Sequence, residues 1–379
     1  MKKLTALLLA LVMALSLTAC GNEPEPTTPS TNAPTNAPTD APTAPPTDAP
    51  TEAPTTEPTQ AGRPGGFDGG SAGTTESNHV HHEVEPGTEG AATVYFTSDI
   101  SPEGLMAIYE ALGVELTGEN IAVKLHTGES QNSNHLRPDF IKDLIQRLDA
   151  TIVECNTAYG GNRSSTAMHY QLAEDHGFTA IAKVVIMDEE GSISLPVNGG
   201  TVLTENKVGA RFAEFDGMLI LSHFKGHMMG GFGGAIKNMS IGIASTEGKC
   251  LIHTGGESST SPWGGSSPVF MDSMAEAAKS VVDALDGNII YISVMNNLSI
   301  DCDCNGYPGE PDIHDIGILA STDPVALDQA CVDLIYNAEG NETFTRRIES
   351  VGGEDTLEHG EEIGLGTRSY SIVNIDEQE

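Results

Sequence analysis

The apolar positions between residues 91 and 379 form two patterns that alternate along the chain. Short continuous apolar runs, bounded by polar or glycine-bearing segments, are typical of buried strands. These predicted strands cover residues 121–125, 151–155, 218–221, 289–294 and 316–319. Between the first two runs, apolar residues recur at helical spacing instead, at Phe140, Ile141, Leu144, Ile145 and Leu148. The order strand, helix, strand predicts a pair of parallel strands joined by a helix.

Helix start signals favour the same class of fold. Ser101 precedes Pro102 and Asp323 precedes Pro324, so each pair places a capping side chain before a proline in the first helical turn. The segment after residue 90 is long enough to bury a substantial core. We expect an α/β fold with a mainly parallel sheet and helices on both faces, either as one large domain or as two α/β lobes with a cleft between them.

Polar, glycine-bearing loops follow the predicted strands. They cover residues 127–137, 156–166, 223–237 and 301–315. Because the carboxyl ends of parallel strands meet at one edge of a sheet, these loops should come together there. The sequence thus predicts a single active or binding cleft at that edge.

The segment from His223 to His253 concentrates side chains that carry chemistry around a glycine-rich turn. Imidazoles bind metals and transfer protons near neutral pH, and a desolvated lysine can act as a nucleophile or a covalent tether. The glycines, at positions 230, 231, 233 and 234, allow a ligand to approach the backbone closely. We interpret His227 and Lys237 as catalytic residues and His253 as a metal ligand.

A second candidate cluster is the pair Cys302 and Cys304, separated by a single residue. Two such thiols can converge in a turn and bind a soft metal, although the spacing is not that of a ferredoxin or a zinc ribbon. Disulfide formation is the alternative in an exported protein. Of the six cysteines in the chain one is Cys20, and the remaining odd number excludes complete pairing. Metal or redox use and structural pairing both stay open.

Residues 1–20 have the pattern of a processing signal, with two lysines at the start followed by an apolar stretch. The segment ends Leu-Thr-Ala before Cys20 and resembles the bacterial lipobox, which implies cleavage before Cys20 and lipid attachment to its sulfur. Residues 21–90 are rich in proline and threonine and then in glycine, a composition that predicts a disordered tether. Residues 91–379 form the predicted folded domain, held at the extracytoplasmic face of the membrane by the lipid.

Three histidines lie near the end of this tether, at positions 79, 81 and 82. They could bind a metal ion, but we interpret them as part of a solvated polar tail. The chain as a whole carries a formal net charge of -36. Without a basic block to offset that charge, binding to nucleic acid or to anionic lipid headgroups is not expected.

Three blocks together resemble the family called domain of unknown function 362 (DUF362). They are residues 227–237, 301–304 and 315–328. The resemblance extends over nearly all of the predicted domain and implies metal or iron–sulfur chemistry. Many members carry a ferredoxin-type insert, whereas here a Ser/Gly-rich stretch with Trp263 and no cysteine cluster follows Lys249. A ferredoxin-type iron–sulfur cluster is therefore not expected.

The order and spacing of His227, Lys237 and His253 are also similar to those of the nickel-dependent lactate racemase family. That resemblance implies a cofactor tethered to Lys237, a nickel ligand at His253 and substrate binding by Arg137. Asn162 stands where the family carries a second catalytic histidine, so we assign it to substrate binding. Racemisation needs a base on each face of the substrate and is therefore not favoured.

The combined interpretation is a lipid-anchored enzyme of redox or isomerase type that acts on a small anionic molecule. It depends on a metal or a metal-bearing cofactor, with nickel, iron or zinc as the candidates. The alternative from another class is a non-catalytic, surface-anchored protein that binds a metal ion or a small anion.

Overall fold

The computed structural model describes residues 79–377. The predicted signal segment, Cys20 and the tether up to residue 78 lie outside the described residues. The strands are β1 Ala92–Thr97, β2 Ile121–Lys124, β3 Thr151–Glu154, β4 Val184–Ile186, β5 Ser192–Pro196, β6 Glu205–Gly209, β7 Gly217–His223, β8 Lys225–His227, β9 Gly231–Gly233, β10 Ile289–Met295, β11 Gly317–Ser321 and β12 Tyr370–Asn374.

The helices, like the strands, are numbered along the chain. They are α1 Pro102–Ala111, α2 Pro138–Arg147, α3 Thr166–Asp175, α4 Ala235–Ile243, α5 Thr246–Thr254, α6 Ser267–Ala284, α7 Pro324–Asn337, α8 Glu342–Val351 and α9 Asp355–Glu362. Short 3-10 helices cover Phe178–Ala180, Ala210–Glu214 and Ile375–Glu377. The two predicted caps are confirmed: Ser101 Oγ accepts a hydrogen bond from Gly104 N at 3.0 Å, and Asp323 accepts from two backbone N–H groups of α7.

Eight strands form one sheet in the order β12-β1-β11-β10-β7-β2-β3-β4. Within it only β11 runs antiparallel to its neighbours, β1 and β10, and every other pairing is parallel. Two small hairpins, β5–β6 and β8–β9, lie outside this sheet. The predicted mainly parallel α/β fold is confirmed. Residues 79–377 contain a single large sheet.

Helices cover both faces of the sheet, as expected. Along β7, Leu219 and Leu221 face the core formed with α1, α2 and α3, whereas Met218 and Ile220 face the core formed with α4, α6 and α7. This alternation follows from the two-residue period of a strand. All of β7 is buried, and each fully buried Leu or Ile contributes about 1.5–3 kcal/mol through removal of apolar surface from water.

The described chain begins in contact with the domain. Val84 N donates a hydrogen bond to Tyr370 O at 2.8 Å, and Glu83 forms a parallel bridge with Tyr370. The His79 side chain is 2% exposed, so its interpretation as part of a solvated tail is wrong, whereas the His81 side chain is 48% exposed. Within residues 79–377, no helix is long and apolar enough to span a bilayer.

Candidate active site

A cavity of about 80 Å³ lies at the carboxyl ends of four parallel strands, β2, β3, β7 and β10. The segments that follow these strands line it, together with α4 and α5. The predicted convergence is therefore confirmed for parts of three loops, 156–166, 223–237 and 301–315, whereas loop 127–137 contributes no residue to the cavity wall. The sequence-predicted residues on its wall are His227, Lys237, His253, Cys302 and Cys304.

Arg137 and Asn162, the predicted substrate-binding residues, do not line this cavity. The Arg137 guanidinium donates to Ser133 O at 2.8 Å and to Gln131 O at 3.0 Å, which secures its own loop. Arg137 immediately precedes α2, which packs on the sheet face opposite α4. Asn162 is exposed, and its Nδ2 donates to Glu129 O at 3.0 Å. Both side chains contact backbone oxygens of the loop after β2.

His227 ends β8 and presents its ring to the cavity. Its Nδ1 accepts hydrogen bonds from Gly230 N at 2.9 Å and Met229 N at 3.3 Å, so in the neutral ring the proton is on Nε2. Burial, followed by the nearby charge of Lys237, holds the pKa of His227 well below its usual range. The neutral ring therefore offers an Nε2–H hydrogen-bond donor.

His253 has the opposite tautomer. Its Nδ1 donates to Lys249 O, one turn earlier in α5, at 2.7 Å, which leaves a lone pair on Nε2. The ring stacks on Phe270 with centroids 4.6 Å apart. Burial lowers the pKa of His253 to about 4, so the ring is neutral at pH 7. A neutral, oriented imidazole with a free nitrogen is the form that binds metals.

Lys237 lies in the second half of the first turn of α4 and lines the cavity. Within residues 79–377 it forms no ion pair with a carboxylate. Burial lowers the pKa of its amine, although the neighbouring thiols Cys302 and Cys304 oppose that shift. A lowered pKa increases the neutral, nucleophilic fraction of a lysine.

The five cysteines between residues 79 and 377 are all free thiols, so the disulfide alternative is not what the structure contains. Cys302 and Cys304 lie in a turn in which Cys304 N donates to Cys302 Sγ at 3.3 Å. A hydrogen bond from the Cys304 thiol, together with the charges of Lys237 and Lys225, lowers the pKa of Cys302. The thiolate of the pair is therefore favoured at Cys302.

Several charged residues of the cavity were not identified from the sequence. Lys124 Nζ lies 2.9 Å from Glu154 Oε2, and Arg163 Nε lies 2.9 Å from Glu129 Oε2. Lys124 and Glu154 each interrupt an apolar run that was predicted to be a strand, and a charge at such a position was the available signal. His126 follows the first of these strands, and its Nδ1 accepts from Gly128 N at 2.9 Å, so it also offers an Nε2–H donor.

His223, by contrast, is held away from the cavity wall. Its Nδ1 lies 2.9 Å from Asp303 Oδ1, and its Nε2 lies 2.7 Å from Asn296 O. Lys225 Nζ contacts the other oxygen of Asp303 at 2.8 Å. The buried Asp303 thus connects the β7–β8 segment to the turn that carries the two cysteines.

The sequence profile of the domain of unknown function named DUF362 matches residues 121–333, which contain all of the cavity-lining residues. The chain belongs to the DUF362 family. A search of curated proteins found no match to this sequence.

Two solved structures are similar to this DUF362 protein. One is the lactate racemase apoprotein from Thermoanaerobacterium thermosaccharolyticum, with 15% identity and a TM-score of 0.39 over 65% of this chain and 57% of that one. The other is a protein from Thermotoga maritima, with 14% identity and a TM-score of 0.36 over 69% of this chain and 58% of that one. The DUF362 chain thus spans less than two thirds of either protein.

The donor atoms of the cavity suit a metal that brings ligands of its own. Within the described residues, three ligand atoms from His, Cys, Asp or Glu come within 4.8 Å of one another at His79, His81 and Asp333, and not at the cavity. A closed site made only of protein ligands is therefore not formed there. The free Nε2 of His253 and the Cys302 thiolate fit a metal-bearing cofactor or a metal–substrate complex.

Proposed function

We propose that this DUF362 domain is a metal- or metal-cofactor-dependent enzyme of redox or isomerase type that acts on a small anionic molecule. One observation supports the proposal most directly. In a chain with a net charge of -36, the cavity gathers five cationic side chains and one carboxylate, Glu154. The cationic residues are Lys124, Arg163, Lys225, Lys237 and Lys249. Three of these cations already face a carboxylate, so Lys237 and Lys249 supply the excess positive charge that would attract a small anion.

Lys237 and His253 are the residues that would hold the cofactor. The Lys237 amine, with its lowered pKa, suits covalent attachment, and the free Nε2 of His253 suits coordination of the metal. Cys302 offers a further soft donor. When bound, a metal would supply Lewis-acid or redox chemistry at this site. The resemblance of the spacing to the nickel-dependent family favours nickel, with iron and zinc as the other candidates.

His227 and His126 would position the substrate and transfer protons to it. Each neutral ring has its Nε2–H as the available donor, because a backbone N–H occupies Nδ1. The second histidine expected near Asn162 is not there, but His126 adds a second imidazole to the same cavity wall. Lys225, whose amine is held in place by Asp303, would bind an anionic group of the substrate.

The proposal extends to where the chain acts. A lipid attached to Cys20 would hold the domain at the extracytoplasmic face of the membrane, with residues 21–78 as a spacer. The acidic composition supports a small-molecule ligand over nucleic acid.

Metal analysis of the full-length chain, purified without chelator or a histidine tag, tests the proposal. His253→Ala and Lys237→Ala should each lower the amount of metal or cofactor held at the cavity by about tenfold or more, because loss of even a residue that contacts a metal ligand weakens metal binding about 10–100-fold. His314→Ala is the control, since His314 is exposed and outside the cavity. Mass spectrometry of the peptide containing Lys237 would detect a covalent adduct.

Unchanged metal content in both variants would contradict the proposal. The remaining alternative would then be a protein that binds a small anion without turnover. Isothermal titration with small carboxylates and phosphate then tests anion binding. Lys225→Ala should weaken anion binding whether or not the protein is an enzyme, whereas loss of metal in Lys237→Ala is expected only for the enzyme.

A further inference from the structure

We propose that His79, His81 and Asp333 bind a divalent transition-metal ion of the zinc class where the N-terminal segment meets the domain. This site is independent of the cavity and of the proposed activity. Its three ligand atoms come from the start of the described chain and from α7, and they lie within 4.8 Å of one another.

The two histidines meet just before the point where the N-terminal segment joins the domain. Residues 82–84 pair alongside Tyr370, with a parallel bridge at Glu83 and a hydrogen bond from Tyr370 N to His82 O at 3.3 Å. The His79 and His81 rings contact each other edge to face, with centroids 4.8 Å apart.

Asp333 provides a carboxylate whose orientation is already fixed. It is 1% exposed and lies on α7. Gln329 Nε2 donates to its Oδ1 at 2.6 Å, and Tyr370 Oη and His82 N donate to its Oδ2 at 2.8 and 2.9 Å. A carboxylate with this many donors is held in one position, as metal-binding carboxylates are.

The distances are close to those of a tetrahedral zinc site. His79 Nε2 lies 3.2 Å from Asp333 Oδ1, and His81 Nδ1 lies 3.7 Å from Asp333 Oδ2. Ligands bonded to zinc at about 2.0–2.2 Å in a tetrahedron are separated by roughly 3.3–3.6 Å. The three ligand atoms lie within 4.8 Å of one another, so the half-exposed His81 side chain would have to move closer to complete that spacing.

Glu354 supplies the outer-shell contact that a metal-binding histidine requires. Its Oε1 lies 2.8 Å from His79 Nδ1, and its Oε2 accepts from Arg368 Nη2 at 2.9 Å. The His79 ring also stacks on Tyr336 with centroids 3.7 Å apart. A carboxylate on Nδ1 directs Nε2 toward the metal, the arrangement found in histidine–zinc sites.

The ion would bring a positive charge next to the buried Asp333 carboxylate. Because the His81 side chain is half exposed, the ion can enter from solvent and water can complete its coordination. The bound ion would join the N-terminal segment to α7.

Zinc titration of the full-length, untagged chain by calorimetry tests the site. His81→Asn should weaken the binding of one zinc equivalent by about tenfold or more while leaving the unfolding midpoint of the metal-free protein unchanged, because His81 is half exposed. His82→Asn is the matched control, since only the backbone of His82 contacts Asp333 and its side chain is outside the cluster. It should bind zinc as the parent does.

Cobalt spectra separate this site from the cavity. Cobalt bound by His and Asp lacks the intense near-ultraviolet absorption of a cobalt–thiolate bond, which Cys302 would produce. A visible cobalt spectrum without thiolate absorption, lost in His81→Asn and kept in Cys302→Ser, is the expected result. Equal zinc affinity in the parent and His81→Asn, or no zinc binding by the parent, would overturn the proposal and leave His79 as a protonated ion-pair partner only.

Discussion

Single buried charges determine much of the chemistry of this protein. Lys124 is 1% exposed and contacts Glu154, Asn238 Oδ1 at 3.0 Å and Leu125 O at 2.8 Å. Burial alone would raise the pKa of Glu154, but the charges of Lys124, His169 and Arg163 outweigh it and lower the pKa to about 2. Lys124 and Glu154 are therefore each held by several partners. Removal of either charge leaves the other buried without its counter-charge.

Glu154→Gln should destabilise the protein by about 3–5 kcal/mol at pH 7, because Lys124 stays buried without its counter-charge. The folded-state pKa of about 2 is below the ordinary value of 4.5, so this contribution is complete above pH 4.5 and is lost as the pH falls toward 2. Urea unfolding from about pH 7 to about pH 3 should show the difference between parent and variant shrinking with acid. A difference that stays constant, or one also seen in the exposed control Glu103→Gln, would contradict this assignment.

At the scale of elements, α4 is capped by another helix. The Asp328 carboxylate, on α7, accepts from Ala235 N at 2.7 Å and Ile236 N at 2.9 Å. A Cβ at Gly234 would lie 2.2 Å from Asp328 Oδ1, so this glycine is needed for the close approach. We expected the glycines to let a ligand approach the backbone closely. At Gly234 the group that approaches is the Asp328 side chain of the protein itself. Asp328 thereby positions the turn that carries Lys237.

Asp328→Ala should destabilise the fold by about 1–3 kcal/mol, since two buried N–H groups lose their acceptor. The unfolding free energy from urea titration measures this change. Asp143→Ala, an exposed aspartate on α2, should stay within about 0.5 kcal/mol of the parent. Equal effects of the two substitutions would show that the cap contributes nothing.

At the scale of the whole molecule, charge is strongly segregated. The chain has 54 acidic and 18 basic residues, yet five of the basic ones line a single cavity. The parallel sheet brings them together because β2, β3 and β7 are neighbours that end at the same edge. The acidic composition favours solubility, whereas basic side chains are concentrated at the cavity.

Cys20→Ala should move the chain from the membrane fraction to the soluble fraction, because acyl chains would supply the anchorage. The thermal midpoint of the domain should be unchanged. Fractionation followed by mass spectrometry of the amino terminus measures both the location and the processing. A parent protein that is unlipidated and retains residues 1–19 would contradict the predicted anchor.

The sequence alone determined the class of fold, the position of the cleft and five residues on its wall. Strand and helix periods are visible along the chain, and residues directly after parallel strands must gather at one edge, so His227, Lys237 and Cys302 could be placed there. Arg137 and Asn162 share that topology but point elsewhere, because their polar atoms bond the loop backbone.

Only the tertiary structure decided which distant residues become partners. Asp328 caps α4, Asp303 joins the histidine loop to the cysteine turn, and Asp333 meets His79. None of these contacts leaves a periodic signal, because each depends on how helices and loops pack across the sheet rather than on local backbone preference. Periodicity constrains the elements, whereas side-chain pairing depends on their arrangement in space.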